Sequence, residues 1–153
     1  MLTQILHASQ WCWKHNMKIS SRLLDKLNQL LCSADIPGRT QIAHNVSFAH
    51  GGLGVIINPQ SVIGDSCIIN AKVTLGNGYP HGGAPTLGKY VYVGAGAFIG
   101  GGIFVADNII IGANSVLTKS ITESGVVVAG VPAKIIRKLT EQELEKLTSW
   151  NKK

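Results

Sequence analysis

From Ile57 onward an aliphatic residue returns at every sixth position: Ile57, Ile63, Ile69 and Leu75, then Leu87, Val93, Ile99, Val105, Ile111 and Leu117. Glycine follows it at Gly64, Gly76, Gly88, Gly94, Gly100 and Gly112. A small or apolar residue stands two places before it at Ser61, Cys67, Val73, Val91, Ala97, Ile103, Ile109 and Ser115. A period of six suits neither an amphipathic helix nor an alternating hairpin strand. It predicts an all-β solenoid, a parallel β-helix in which each hexad forms one short wall. The repeat is expected to run from about Ile36 to Ala129, with irregular early hexads at Ile36, Ile42 and Phe48.

Two interruptions break the period. Between Phe48 and Ile57 it slips by three residues, and the slip holds His50-Gly51-Gly52-Leu53-Gly54. Between Leu75 and Leu87 the run Gly76-Asn77-Gly78-Tyr79-Pro80-His81-Gly82-Gly83-Ala84-Pro85 replaces a regular hexad, and the repeat then resumes in phase. A loop that leaves the solenoid and returns behaves in this way. Regular repeats break where something other than stacking is selected.

The ends follow another rhythm. Leu2, Ile5 and Leu6, then Leu23, Leu24, Leu27, Leu30 and Leu31, recur at helical spacing around a polar break near Asn16. They predict two short amphipathic helices capping the open end of the solenoid. Thr140 with Glu143 forms a capping-box pattern that opens a last helix to about Trp150. The expected units are a helical cap over 1–34, the solenoid over 35–133, and a C-terminal helix and tail over 134–153.

At 153 residues the chain is one domain, without room for a second catalytic unit. The formal charge of +6 gathers at the ends: Lys14, Lys18, Arg22 and Lys26, then Lys134, Arg137, Lys138, Lys152 and Lys153. No basic stripe interleaves with aromatic residues, which argues against a nucleic-acid partner and for attraction of small anions. Cys12, Cys32 and Cys67 are odd in number and lack metal-type spacing, so they read as buried thiols of a reducing compartment. No leader pattern opens the chain and no apolar run reaches membrane-spanning length, so a cytoplasmic protein without a membrane span is expected. Trp11 and Trp13 could touch a membrane surface, but packing of the cap or a subunit contact is the favoured reading.

Carboxylates are scarce between the ends: Asp35, Asp65, Asp107 and Glu123. Asp65 and Asp107 share a hexad slot at exposed turns. Three hexads make a coil of about eighteen residues, so Asp35 and His50, fifteen apart with an irregular turn between them, should lie on neighbouring coils. The carboxylate can then fix the imidazole tautomer and steady its cation. Neutral His50 suits a general base that takes a proton from an alcohol attacking a thioester. Gly51 and Gly52 beside it let a substrate approach the backbone. His44 and His81 are weaker candidates, His44 on another wall and His81 in the excursion loop, where it could bind substrate.

These stretches resemble the hexapeptide-repeat acyltransferases, and among them the serine acetyltransferase branch. The resemblance rests on Asp35-Ile36-Pro37, on 49–57 with its His50-Gly51-Gly52, on Val73-Thr74-Leu75-Gly76, Val93-Gly94-Ala95-Gly96-Ala97, Ile111-Gly112-Ala113-Asn114-Ser115-Val116 and Gly130-Val131-Pro132-Ala133-Lys134. It implies a left-handed β-helix acting as a homotrimer, with active sites between subunits. It also implies acetyl-CoA as co-substrate lying along the prism, and no metal. On that likeness His50 is the base and Asp35 its partner, Gly76, Ala95 and Ala113 line the pantetheine channel, and Lys134 meets the CoA phosphates.

The chain departs from the branch at Gly82-Gly83-Ala84-Pro85, where an Arg-His pair is expected, and at Asn58-Pro59-Gln60, where a Glu is expected. Its helical cap is short, and it ends Asn151-Lys152-Lys153 without an isoleucine tail, so no sulfhydrylase complex is expected. The shorter pattern is similar to O-acetyltransferases of surface polysaccharides, which leaves L-serine and a sugar or glycan hydroxyl both open as acceptor. Two other classes stand beside this reading. One is a non-catalytic β-helix scaffold. The other is a zinc carbonic anhydrase of the γ type using His44, His50 and His81, for which the His-x4-His pair is missing.

Overall fold

The computed structural model describes residues 1–150; the expectation for the tail Asn151–Lys153 falls outside them. Two helices, α1 (Leu2–Lys14) and α2 (Lys18–Cys32), lead into a run of short strands. These come in triplets: β1 (Gln41–Ile42), β2 (Ser47–Phe48) and β3 (Ile56–Ile57); β4 (Val62–Ile63), β5 (Ile68–Ile69) and β6 (Thr74–Gly76); β7 (Thr86–Leu87), β8 (Val91–Val93) and β9 (Phe98–Gly100); β10 (Phe104–Val105), β11 (Ile109–Ile111) and β12 (Val116–Leu117). The first members pair with one another, as do the second and the third, so the chain deals its strands in turn to three parallel sheets. The period of six in the sequence thus becomes one sheet per hexad.

Register follows the same arithmetic. Leu87 pairs with Val105, Val93 with Ile111 and Ile99 with Leu117, each eighteen residues on. In the first circuit Ile42 pairs with Ile63 and Phe48 with Ile69, three residues longer. In the circuit that contains the glycine-rich loop, Ile63 pairs with Leu87, six residues longer. Both interruptions are therefore insertions into turns and leave the ladders intact.

Every marker residue from Ile57 to Leu117 is at most 2% exposed, and all but Ile103 of the small or apolar positions before them are buried. These side chains form one continuous apolar cluster from Leu2 and Leu6 to Val128. Burial at roughly 25 cal/mol per Å² makes that column the main stabilising term. Cys67 belongs to it: burial pushes its thiol up to about 12, and its Sγ donates to the Gly88 carbonyl at 3.1 Å. Cys12 is also buried, whereas Cys32 is half-buried.

Two features differ from expectation. The repeat closes on a hairpin, β13 (Val126–Gly130) and β14 (Ala133–Lys138), which run antiparallel. The segment after Ala133 is thus a strand before it becomes α3 (Glu141–Ser149). Helix α3 does begin with the capping box: Thr140 Oγ1 accepts from the Glu143 N–H, and Glu143 Oε2 accepts from the Thr140 N–H. In addition, α2 turns its small polar residues inward. Ser21 and Asn28 are buried, Ser9 Oγ lies 2.8 Å from Ser21 Oγ, and the leucine row faces outward. Among the described residues no helix is long and apolar enough to cross a membrane.

Candidate active site

The turns that join the second sheet to the third stack in a column held by backbone hydrogen bonds. Gly54 N donates to Ser33 O at 3.0 Å, Lys72 N to Leu53 O at 2.8 Å, Gly96 N to Ala71 O at 3.0 Å and Asn114 N to Ala95 O at 2.9 Å. His50 lies at the base of this column and exposed Ala95 and Ala113 stand above it. At the top Ala129 pairs with Lys134, and a Cβ built on Gly112 would meet the Ala129 Cβ at 2.9 Å. At roughly 4.8 Å per rung the column is about 19 Å tall. The fold therefore brings His50, Ala95, Ala113 and Lys134 onto one line of turns.

The inserted residues shape the base. A kinked turn over Ala49–Gly52 carries His50 in the left-handed region at φ 52° and ψ 33°, followed by Gly51 at φ 65° and Gly52 at φ 71°. The two glycines serve different ends. A Cβ at Gly51 would meet nothing within 4 Å, so that side of the turn is open. A Cβ at Gly52 would lie 2.5 Å from Leu2 Cδ1, so Gly52 is where the turn sits on α1. His50 is exposed, and its side chain makes no hydrogen bond among the described residues.

Asp35 forms a parallel bridge with Ile56 below the third sheet; its N–H donates to Val55 O at 2.9 Å and its carbonyl accepts from Ile57 N at 2.9 Å. Ile36 beside it is buried and Asp35 exposed, so the carboxylate points out of the core. It lies one rung below the strand that follows the His50 turn. No hydrogen bond or ion pair joins Asp35 to His50 within the single protomer.

Gly76 and His81 lie elsewhere. Gly76 ends β6 on the far side of the third sheet, paired with Gly100. The Phe98 ring occupies the space beside it, 3.0 Å from where a Cβ would stand. The loop that follows packs back on the next turn through glycine pairs: a Cβ on Gly78 would meet Gly101 Cα at 2.5 Å, and one on Gly83 would meet Gly102 Cα at 2.8 Å. His81 is exposed at its tip. His44 stacks on His7 of α1 with ring centroids 4.0 Å apart, and burial, then the His44 charge, lowers the His7 pKa. The three histidines His44, His50 and His81 thus occupy three different inter-sheet connections, and among the described residues no three His, Cys, Asp or Glu side chains gather as a metal site.

Two residues that the sequence pattern did not single out stand beside these positions. Lys72 stands in the column one rung above the His50 turn, exposed, with its stem 3.3 Å from a Cβ built on Gly54. Its spacing of eighteen from Gly54 is the signal that could have found it. Phe98, at an outward hexad position, covers the gap that Gly76 and Gly100 leave.

No family model matches the chain. Two serine acetyltransferases are similar in sequence: that of Synechococcus elongatus, 34% identical over 131 residues, and that of Mycobacterium tuberculosis, 35% over 130. Each alignment takes in 84% of this chain, with 53% and 56% of the respective relatives. The chain thus spans about half the length of the curated relatives it matches. In structure it is similar to serine acetyltransferase from Brucella abortus in complex with coenzyme A, with TM-score 0.83, 29% identity and coverage of 90% of this chain and 55% of that one. It is also similar to the Neisseria gonorrhoeae enzyme in complex with serine, with TM-score 0.80, 26% identity and coverage of 88% and 55%. In sequence over most of its length, and in the fold of that region, the chain is serine acetyltransferase-like.

Proposed function

We propose that this chain is a left-handed parallel β-helix enzyme, active as a homotrimer, that transfers acetyl from acetyl-CoA to a hydroxyl group. The observation that carries the reading is the His50 turn at the foot of a column topped by small side chains and a cation. Ala95 and Ala113 leave the column flat, and Lys72 and Lys134 bring positive charge to an edge that would meet a polyanionic carrier. The similarity to a serine acetyltransferase solved with coenzyme A supports the donor.

In this account His50 takes the proton of the acceptor hydroxyl as its oxygen attacks the thioester carbonyl. The carbon–oxygen bond forms, the carbon–sulfur bond breaks, and the proton passes from the imidazolium to the departing CoA thiolate. Such base catalysis contributes roughly 100- to 10,000-fold. Asp35 orients the imidazole and steadies its cation. Gly51 leaves the turn open to the acceptor, while Gly52 seats it on α1. Gly76 and His81 lie across the third sheet from His50, so in a trimer they would reach the His50 column of a neighbour; that separation supports sites shared between subunits. Residues 35–133 form the enzyme unit, with the helices of 1–34 and the segment 134–153 flanking it.

L-serine is the acceptor that the relatives' names favour. A sugar hydroxyl is the second reading, favoured by the loop sequence Gly82-Gly83-Ala84-Pro85, which offers no charged group to hold an amino-acid carboxylate. Purified protein with acetyl-CoA and either L-serine or a nucleotide-linked sugar, followed by thiol release, separates the two. Release with L-serine alone identifies a serine acetyltransferase. No release with either acceptor and no coenzyme A binding by calorimetry would instead support a scaffold.

A further inference from the structure

Helix α2 is built inside out for a soluble protein. Its buried positions are Ser21 and Asn28, while Ile19 (77% exposed), Leu23 (66%), Leu27 (41%), Leu30 (81%) and Leu31 (54%) form an unbroken outward row. Positions spaced by three or four fall on one helix face, and 19 to 31 covers about 18 Å of axis. The inward orientation is fixed by hydrogen bonds: Ser9 Oγ lies 2.6 Å from Asp25 Oδ1, Gly38 N donates to the same oxygen at 2.9 Å, and Asn28 Nδ2 donates to Leu2 O at 3.4 Å. The leucines are therefore held outward by the packing beneath them.

The charges beside that row are mostly of one sign: Lys14, Lys18, Arg22, Lys26 and Arg39 outnumber Asp25 and Asp35, which line the cavity that Arg22 and Lys26 share. Lys18, Arg22 and Lys26 each precede an apolar member of the row by one position and are exposed, as is Lys14 at the end of α1. Helix α1 carries no acid, and the only acid of α2, Asp25, is the half-buried group held by Ser9 and Gly38. No ion pair among the described residues engages these cations. A face that pairs an apolar row with a flanking row of cations matches a bilayer bearing anionic headgroups, which accepts the leucines between acyl chains and the cations at the phosphates. Pairing this face with itself across a two-fold axis would set cation row beside cation row, which disfavours that contact. We propose that α2 docks this chain peripherally on anionic lipid surfaces. This rests on the helix alone and not on the acetyl-transfer reading.

The test is sedimentation of the 153-residue chain with vesicles of phosphatidylcholine alone or mixed with phosphatidylglycerol, at low and high salt. The wild type is expected to sediment with the anionic vesicles only, and salt is expected to release it. Arg22→Gln with Lys26→Gln should lower partitioning by about 30-fold. Leu23→Glu with Leu27→Glu should abolish it without altering thermal unfolding, because both positions are exposed. A wild type that stays in the supernatant with both vesicle types, or that binds neutral vesicles equally, overturns the proposal. So does undiminished vesicle binding by the Arg22/Lys26 variant. If the leucine variant loses assembly mass in solution while the wild type ignores vesicles, the face is a contact between copies and not a lipid surface.

Discussion

A left-handed backbone at His50 does not by itself mark a functional residue, since Ser66, Lys72, Tyr90, Asn108 and Asn114 adopt the same region at other turns. What distinguishes His50 is the three-residue insertion around it and the flat column above it. Its candidacy, and that of Asp35 fifteen residues earlier, could be read from the chain because the coil length turns sequence distance into height. Their mutual orientation could not be read, since it depends on side-chain rotamers and on neighbours beyond one protomer. Asp35→Asn should lower kcat less than loss of His50 does while leaving the KM for acetyl-CoA unchanged; an unmoved kcat would leave Asp35 without the positioning role. Ala113→Leu places a large side chain in the exposed column. It should raise the KM for acetyl-CoA while changing stability by no more than about 0.5 kcal/mol, a split readable from steady-state kinetics beside urea unfolding.

At the scale of elements, the period of six located the strands because each marker had to be buried. The sequence was less informative where that rule stops. Strand β14 includes Ile135 and Ile136 in succession, both exposed, and is ordered by its antiparallel pairing with β13, a long-range register that no local pattern encodes. The helical spacing of the α2 leucines was legible, but not the face they show, because the close approach of Ser9, Ser21 and Gly38 decides it. Gly52→Ala should destabilise the fold by about 1–3 kcal/mol, since it must displace Leu2 and hold a left-handed backbone. Gly51→Ala, which meets only the backbone penalty, should cost about 1–2 kcal/mol or less; urea midpoints compare the two. At the other end, hydrogen bonds from Arg137 at 2.7 Å, then from the Thr140 backbone, hold the Glu143 carboxyl down at about 2. A folded pKa below the ordinary 4.5 means that the capping of α3 contributes fully above that value and is lost as pH falls toward 2. A carboxyl NMR titration should find that midpoint, and Arg137→Gln should move it upward. Thr140→Ala should cost roughly 1 kcal/mol of helix stability.

For the whole molecule, three parallel sheets give a rigid frame on which turns stack at fixed height, so chemistry at one foot and charge at the other end of a column need no moving part. The loop bearing His81 leaves from the far side of the third sheet, so under the proposed trimer it would reach the His50 column of another protomer. Light scattering should therefore return three copies of the 16.2 kDa chain, and a monomer would remove the shared site. The central claim, that His50 is the base for acetyl transfer, is tested most directly by the rate of CoA release from acetyl-CoA in the presence of the accepted hydroxyl compound, measured for wild type and His50→Ala at equal coenzyme A occupancy. The account predicts a fall of roughly 100- to 10,000-fold with coenzyme A binding retained. A variant as fast as the wild type would contradict it.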